Sequence, residues 1–162
     1  MNSNLLKETR KTIFLADQNE SFLIYLRILL ERMGFRILPL KKGAILQNLM
    51  QVMKPDLLML GSLLEDMDGV SVLRSFRRNE AFADVPVVMF CDSEYEECSQ
   101  SIRELDGVKY LSRPVNIFML YKVIHDIAFS SGQKRLHLRT SFNEKVILYH
   151  GDREAELCSG LY

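Results

Sequence analysis

Five short apolar runs alternate along the chain with segments whose apolar residues recur at helical spacing. The apolar runs lie at 12–16, 35–38, 57–60, 85–90 and 108–111. The periodic segments lie at 21–32, 44–53, 70–78, 94–105 and 117–129. Strands joined by helical connections of this length pair in parallel, and their crossovers are right-handed. The alternation therefore predicts an open, doubly wound α/β fold with a five-stranded parallel sheet.

The composition excludes several other classes of protein. Of 162 residues, 48% are hydrophobic and 26% charged, which is typical of a folded soluble domain rather than a disordered chain. Lys and Arg number 21, as do Asp and Glu, so the net charge of zero argues against a general polyanion binder. Cys91, Cys98 and Cys158 form no C-x-x-C pair, which indicates neither a disulfide framework nor a zinc knuckle.

The N-terminal segment, residues 1–11, is polar and lacks the apolar stretch of a signal peptide. No apolar run approaches the ~18 residues of a membrane span. Together with the cysteine content, these features predict a cytoplasmic protein without a membrane span.

In a doubly wound sheet, functional groups gather where the carboxyl ends of the strands meet. Four of the predicted strands end in residues with distinctive chemistry. These are Asp17-Gln18, Gly61-Ser62, Cys91-Asp92 and Ser112-Arg113. On the third predicted helix, arginines at 74, 77 and 78 are expected to face solvent.

Several landmarks along the chain occur in a familiar order. They are FLAD at the end of the first strand, PDLLML, Met67-Asp68-Gly69, VPVVMF, and Tyr110 three residues before Arg113-Pro114. In this order and spacing the chain resembles the receiver domain of bacterial two-component response regulators over residues 12–129. The resemblance implies a flavodoxin-like strand order 2-1-3-4-5.

Receivers take a phosphoryl group onto an aspartate at the end of strand three, assisted by Mg²⁺ held by carboxylates. This sequence departs from that pattern at each position that the resemblance assigns to the chemistry. A carboxylate pair is reduced to Asp17 and Gln18, the acceptor is Gly61, the hydroxyl position is Cys91 and the lysine position is Arg113. Because glycine cannot be phosphorylated, we expect a degenerate, non-enzymatic receiver without a metal site, in which Mg²⁺ binding is weak or lost.

Neighbouring residues leave some alternatives open. Ser62 could accept a phosphoryl group, although a serine needs a positioned base. The loop carboxylates Glu65 and Asp66 could reach a cation or could simply be solvated. Cys91 could be a reactive thiol or a small packing residue. We expect Arg113 to reach Asp17 as a bidentate pair that replaces metal and phosphate.

In the family, the fourth helix, fifth strand and fifth helix form a surface for dimers and partner docking. The resemblance implies that a protein partner or a second copy binds there, with Tyr110, Phe118 and Tyr121 on that output face. The fourth predicted helix is acidic. On the fifth, the residues expected to share a stripe facing the core are Ile117, Leu120, Ile124 and Ile127.

The last part of the chain has a different pattern. Residues 130–143 are expected to be a linker with a basic cluster, and 144–162 to begin a β-rich second domain, with a hairpin around Gly151-Asp152. A lone hairpin is not stable in water, so this domain is expected to be incomplete at Tyr162.

Arg135 and Arg139 have the R-x-x-x-R spacing that opens a PilZ domain, and this segment resembles that family in its place before strand-patterned sequence. The resemblance implies cyclic di-GMP as a ligand of the full-length protein, while the fragment should bind it weakly or not at all. A merely solvated basic linker is the alternative.

The sequence thus predicts a non-phosphorylatable receiver acting as an interaction or dimerisation module before a cyclic di-GMP effector domain. An orthodox phosphorelay receiver with a non-standard acceptor is the alternative. No helix-turn-helix follows, so no nucleic-acid partner is expected.

Overall fold

The structure is a computed structural model that describes residues 10–92 and 107–130, together with 148–150 and 153–155. Its side-chain detail covers 10–92 and 107–127. The strands are β1 (Thr12–Ala16), β2 (Arg36–Leu40), β3 (Leu57–Gly61), β4 (Val87–Asp92) and β5 (Val108–Arg113). The helices are α1 (Glu20–Arg32), α2 (Gly43–Val52), α3 (Gly69–Arg78) and α4 (Ile117–Ser130), with a 3₁₀ turn at Glu80–Phe82.

The five strands form one parallel sheet in the order β2-β1-β3-β4-β5, as the resemblance implied. Two predicted strands are displaced. The second runs from Arg36 to Leu40 instead of 35–38, and the fourth begins at Val87 instead of Val85. Val85 belongs to the preceding turn, where its amide donates to the Phe82 carbonyl at 3.1 Å.

Alternate residues of the central strands supply two separate cores. Ile13 and Leu15 of β1 pack on the side of the sheet that also carries buried residues of α1 and α4. Phe14 and Ala16 pack on the opposite side with buried residues of α2 and α3. Successive side chains of a strand point to opposite faces of the sheet. Because helices cover both faces, every position of a central strand is buried, which explains why the strands are continuously apolar.

Side chains from the loops satisfy the free amides at the helix N-termini. The Asn19 side chain accepts a hydrogen bond from the Phe22 amide at 3.0 Å, and Asp68 accepts one from the Ser71 amide at 2.8 Å. These local caps begin α1 and α3.

The N-terminus of α2 is capped from a distant part of the chain. Asp66 accepts hydrogen bonds from the amides of Gly43 and Ala44 at 2.6 and 3.0 Å. These bonds, first that from the Ala44 amide and then that from the Gly43 amide, hold the pKa of the Asp66 carboxyl below its usual range. The loop after β3 is thereby fixed to α2, and Asp66 has a structural role rather than being simply solvated.

The expectation that Arg77 faces solvent is wrong. Its side chain turns back over the loop after α3, is half-buried, and burial lowers the pKa of its guanidinium. It donates to four carbonyl oxygens, those of Phe82, Ala83, Val85 and Gly107. Arg74 and Arg78 are exposed, as predicted.

The predicted core stripe of the last helix is partly wrong. Leu120 and Ile124 are buried, and Ile127 packs against the same core, but Ile117 is exposed. Ile117 is the first residue of α4, and the part of the helix that packs on the sheet begins one turn later.

Near the C-terminus, β6 (Leu148–His150) and β7 (Arg153–Ala155) form an antiparallel pair, in agreement with the predicted hairpin. The predicted acidic helix 94–105, the N-terminal residues 1–9 and the linker bearing Arg135 and Arg139 lie outside the described residues. Among the helices that the structure describes, none combines the length and the apolar character needed to cross a membrane.

Candidate functional site

Asp17 and Arg113 pair across the carboxyl edge of the sheet. The two terminal nitrogens of the guanidinium face the carboxylate: Nη2 donates to Oδ2 in a close contact, and Nη1 donates to Oδ1 at 3.4 Å. The Asn19 amide also donates to Oδ1, at 2.7 Å. The Asp17 side chain is fully buried and that of Arg113 is 19% exposed. The bidentate pair predicted from the sequence is therefore present, and it neutralises a buried carboxylate.

Two further contacts position the Arg113 side chain, one with Phe22 and one with Asp92. Its Cζ lies 4.4 Å from the centre of the Phe22 ring, in a cation–π arrangement. The Phe22 ring in turn packs edge-to-face on Phe90, with ring centres 5.0 Å apart. Nε lies 3.7 Å from Oδ1 of Asp92, and within the described residues it has no hydrogen-bond partner. Arg113 thus connects β5 with β1, α1 and the end of β4.

Gly61, at the end of β3, leaves the space that this pair uses. A Cβ atom at position 61 would lie 1.9 Å from Oδ2 of Asp17 and 3.0 Å from Nη2 of Arg113. Real Cβ atoms do not approach other heavy atoms so closely, so any larger residue would displace the carboxylate. The position is therefore filled by its neighbours, and the missing side chain leaves no cavity.

A second glycine allows the following loop to fold over this point. A Cβ atom at Gly69 would lie 2.0 Å from the carbonyl oxygen of Gly61, and the Gly69 amide donates to the Ser62 carbonyl at 2.8 Å. The loop from Ser62 to Asp68 thus returns directly over the end of β3.

The other residues predicted at this edge lie around the pair and not in it. The Gln18 side chain is exposed, and its amide donates to the Leu63 carbonyl at 3.1 Å. Cys91 is half-buried and packs against the core on the α2 and α3 side of the sheet. Ser62 is half-buried beside Gly61. The structure therefore brings Asp17, Gly61 and Arg113 into one contact.

The comparison with known protein families decides the identity of the fold. The family "Response regulator receiver domain" matches residues 13–125. The chain belongs to this family.

Individual relatives of this receiver are distant. It is similar to the alkaline phosphatase synthesis transcriptional regulatory protein PhoP of Bacillus subtilis, with 26% identity over 104 residues. That match covers 64% of this chain and 42% of PhoP, so the chain spans less than half the length of this relative. The fold resembles the receiver domain of a signal transduction histidine kinase from Syntrophus aciditrophicus, with a TM-score of 0.70 and 15% identity, covering 78% and 96% of the two chains.

A second solved structure provides a contrast. It is the receiver domain of a sensor histidine kinase from Pseudomonas aeruginosa, with a TM-score of 0.65 and 18% identity over 72% of this chain and 95% of that one. That protein holds a magnesium ion in its active-site cleft.

The residues of this receiver do not fit such an ion. The Asp17 carboxylate is engaged by Arg113 and the Asn19 amide, position 61 has no carboxylate, and Gln18 is an exposed amide. In the described residues, no three His, Cys, Asp or Glu side chains come together in a way that could hold a metal ion. A hard divalent cation prefers several charged oxygens, which this edge does not offer.

The residues predicted on the output face differ in exposure. Tyr110 on β5 and Phe118 on α4 are exposed, whereas Tyr121 is half-buried against the core and stacks on His125 with ring centres 6.3 Å apart. Tyr110 and Phe118 are therefore available on the surface of this receiver, and Tyr121 is available only in part.

The site has one participant that sequence reasoning missed. Phe22 lies under the Arg113 guanidinium, but in the sequence it is one apolar residue of an amphipathic helix. Its place in the first turn of α1, three residues after the Asn19 cap and at the end of the helix nearest to Asp17, is the signal that could have identified it.

Proposed function

We propose that this receiver does not accept a phosphoryl group and serves a signalling protein as a non-enzymatic interaction or dimerisation module. The observation that supports the proposal is the contact of Asp17, Gly61 and Arg113. Where the family places the acceptor, this chain has no side chain, and the space is filled by an ion pair. The guanidinium of Arg113, held on β5, neutralises the Asp17 carboxylate, so no metal ion is needed to balance its charge.

The surface proposed for the partner or for a second copy is the output face. It is expected to comprise the acidic segment 94–105, β5 and α4. Its exposed apolar members among the described residues are Tyr110, Ile117, Phe118 and Met119. Exposed apolar side chains on an edge strand and on the first turn of the helix that follows it favour a protein contact.

The proposed setting is a cytoplasmic protein in which a cyclic di-GMP effector domain follows the receiver. Support comes from the R-x-x-x-R spacing of Arg135 and Arg139 and from the antiparallel strands β6 and β7 that follow it. Guanidinium pairs bind phosphates bidentately, which suits a cyclic dinucleotide.

The closed site is tested with Mn²⁺ as a paramagnetic probe. In a two-dimensional NMR spectrum of the full chain, a bound Mn²⁺ ion would broaden the amides of Asp17, Gln18 and Gly61 selectively. We expect no saturable broadening at these amides. Saturable broadening confined to these amides would contradict the proposal. The same titration of the Arg113→Lys variant shows whether the arginine is responsible for the absence of Mn²⁺ binding.

The cyclic di-GMP part of the proposal is tested by calorimetric titration. The 162-residue chain is expected to bind the dinucleotide weakly or not at all, and a longer chain with a complete second domain is expected to bind it. Replacing Arg135 and Arg139 by alanine in the longer chain should abolish that binding. Unchanged binding would favour the alternative of a solvated linker.

A phosphorelay receiver with a non-standard acceptor is the second candidate, and membership of the receiver family favours it. Ser62, next to Gly61, is the hydroxyl closest in sequence to the usual acceptor position. A phosphoryl group mapped to Ser62 by peptide mass spectrometry would support this candidate over the first.

A further inference from the structure

We propose that a second copy of this chain binds along the free edge of β5, where the two β5 strands pair antiparallel and join the two sheets into one. The inference rests on the proposed function, because it takes the output face as the binding surface and commits its occupant to a second copy. Tyr110 lies at the two-fold axis of the proposed pair.

The two edge strands of the sheet differ in their free edges. Among the described strands, β2 and β5 each have a neighbouring strand on one side only. The Arg36 amide of β2 donates to the Lys11 carbonyl on the β1 side, so the odd-numbered residues of β2 direct their backbone groups outward. Pro39 is one of them and has no amide to donate, which interrupts this edge. The strand β5 contains no proline.

The backbone of β5 offers hydrogen-bonding groups at alternate residues. The Val87 amide of β4 donates to the Gly107 carbonyl at 3.3 Å, and Val87 is in register with Val108. In a parallel pair this geometry directs the backbone groups of the odd-numbered residues of β5 towards β4. The residues whose amides and carbonyls face away from β4 are therefore Val108, Tyr110 and Ser112.

The middle of β5 is accessible on both faces of the sheet. Lys109 and Tyr110 are consecutive, so their side chains point to opposite faces. Both side chains are exposed, that of Tyr110 to 36%. An edge strand with outward backbone groups and uncovered side chains is a template for pairing with another strand.

The residues of β5 are complementary to a second β5 in one register. Lys109 and Arg113 are the charged residues of the strand and lie on the same face. Antiparallel pairing centred on Tyr110 places Lys109 opposite Leu111 of the partner copy. Moving the centre by one residue would place Lys109 opposite a second Lys109 or a second Arg113, and like charges directly opposite each other destabilise a pair.

The same register suits the backbone and the aromatic ring. It places the outward groups of the two strands opposite each other and makes the two Tyr110 side chains an aromatic cross-strand pair. A two-fold axis also closes the contact, so the assembly stops at two copies. This complementarity of β5 to itself assigns the edge to a second copy rather than to an unrelated strand.

Amide hydrogen exchange of the full chain, followed by NMR, tests the strand pairing. The amides of Tyr110 and Ser112 are expected to exchange about tenfold more slowly at about 1 mM protein than at about 20 µM, because pairing of small interfaces depends on concentration. The amides of Lys109 and Leu111 face β4 and should keep the same protection at both concentrations. Equally fast exchange of Tyr110 and Ser112 at both concentrations would overturn the inference.

Sedimentation velocity separates failure of this inference from failure of the proposed function. A dimer in which the Tyr110 and Ser112 amides stay unprotected would place the contact on another surface, and a monomer would leave the output face to a different protein. Either result overturns the strand pairing and leaves the non-phosphorylatable module intact. The proposed function fails instead if the chain takes up a phosphoryl group, whatever its oligomeric state.

Two substitutions at the proposed axis form a matched pair. Tyr110→Pro and Tyr110→Thr both remove the aromatic ring, but only the proline removes the outward amide, which β4 does not use. We expect Tyr110→Pro to stay monomeric at concentrations at which Tyr110→Thr still dimerises. If the two variants behave alike, the outward amide is not part of the contact and the inference is wrong.

Discussion

The carboxylate of Asp17 and the guanidinium of Arg113 occupy the space that a side chain at position 61 would need. A Cβ atom there would lie 1.9 Å from Oδ2 of Asp17 and 3.0 Å from Nη2 of Arg113. The ion pair joins Asp17, just after β1, to Arg113 of β5. It therefore excludes any larger residue at position 61, at the end of β3. The glycine and the ion pair form one packing unit.

Arg113→Ala should destabilise the protein strongly. Removing the guanidinium leaves the fully buried Asp17 carboxylate without a counter-ion, and breaking a buried pair costs about 2–4 kcal/mol when one partner is partly exposed. The measurement is the free energy of unfolding from urea denaturation. Arg113→Lys keeps the charge but loses the bidentate geometry and the stacking on Phe22, so it should lie between Arg113→Ala and the native protein. A loss below ~0.5 kcal/mol for Arg113→Ala would show that the pair is not stabilising.

Gly61→Ala should also destabilise the protein, because the new methyl group meets the Asp17 carboxylate. Overpacking of this kind costs about 1–3 kcal/mol. In the Arg113→Ala background, Asp17 is free to move, so the same substitution should cost at least ~1 kcal/mol less. The free energies of unfolding of the two single variants and the double variant measure this coupling. Additive costs would contradict the packing unit described above.

Arg77→Ala should destabilise the loop after α3 and the start of β5. The guanidinium donates to four backbone carbonyl oxygens, and removing it leaves them without these bonds. We expect a loss of about 2–4 kcal/mol in the free energy of unfolding. Arg74→Ala, at an exposed position of the same helix, is the matched control and should stay within ~0.5 kcal/mol. Equal effects of the two variants would mean that the carbonyl contacts contribute nothing.

Asp68 should contribute to the loss of stability in acid. Hydrogen bonds from the side chain and amide of Ser71 hold its pKa below the ordinary value of 3.8. When the pH falls through 3.8, the unfolded chain therefore takes up this proton before the folded protein does. The stabilisation from Asp68 is present above that pH and is lost as the pH falls towards the lower pKa of the folded state.

The corresponding measurement is the free energy of unfolding between pH 6 and about 2, the range spanning ordinary carboxyl pKa values. Asp68→Asn should make the curve shallower in its acidic part, because the amide can still cap α3 but no longer titrates. Asp126→Asn, at an exposed position in the middle of α4, is the control. If the Asp68→Asn curve runs parallel to that of the native protein, the cap does not contribute to acid sensitivity.

The fold and the position of the site could be predicted because they depend on simple periodicity. Parallel strands end at one edge, so residues at or just after the ends of β1, β3 and β5 lie along that edge whatever their identity. The resemblance to receivers supplied the strand order and assigned Asp17, Gly61 and Arg113 to one site, and the opposite charges of the first and last predicted the ion pair.

Other features depend on distances that the sequence does not contain. The sequence showed that position 61 has no side chain that could accept a phosphoryl group. It did not show that the Asp17 carboxylate fills the space that such a side chain would need. The cap of α2 by Asp66 joins residues 23 positions apart, and no local pattern signals it. For Arg77, helical spacing gives the side of α3 on which the Cα lies, while a long side chain can still return to the carbonyls of the next loop.

The proposal that this receiver does not accept a phosphoryl group is tested most directly by incubating the full chain with acetyl phosphate and Mg²⁺. The intact protein is then weighed by mass spectrometry. We predict that its mass is unchanged, as it would be in a control without acetyl phosphate. A stoichiometric, acid-labile increase by the mass of one phosphoryl group would contradict the account.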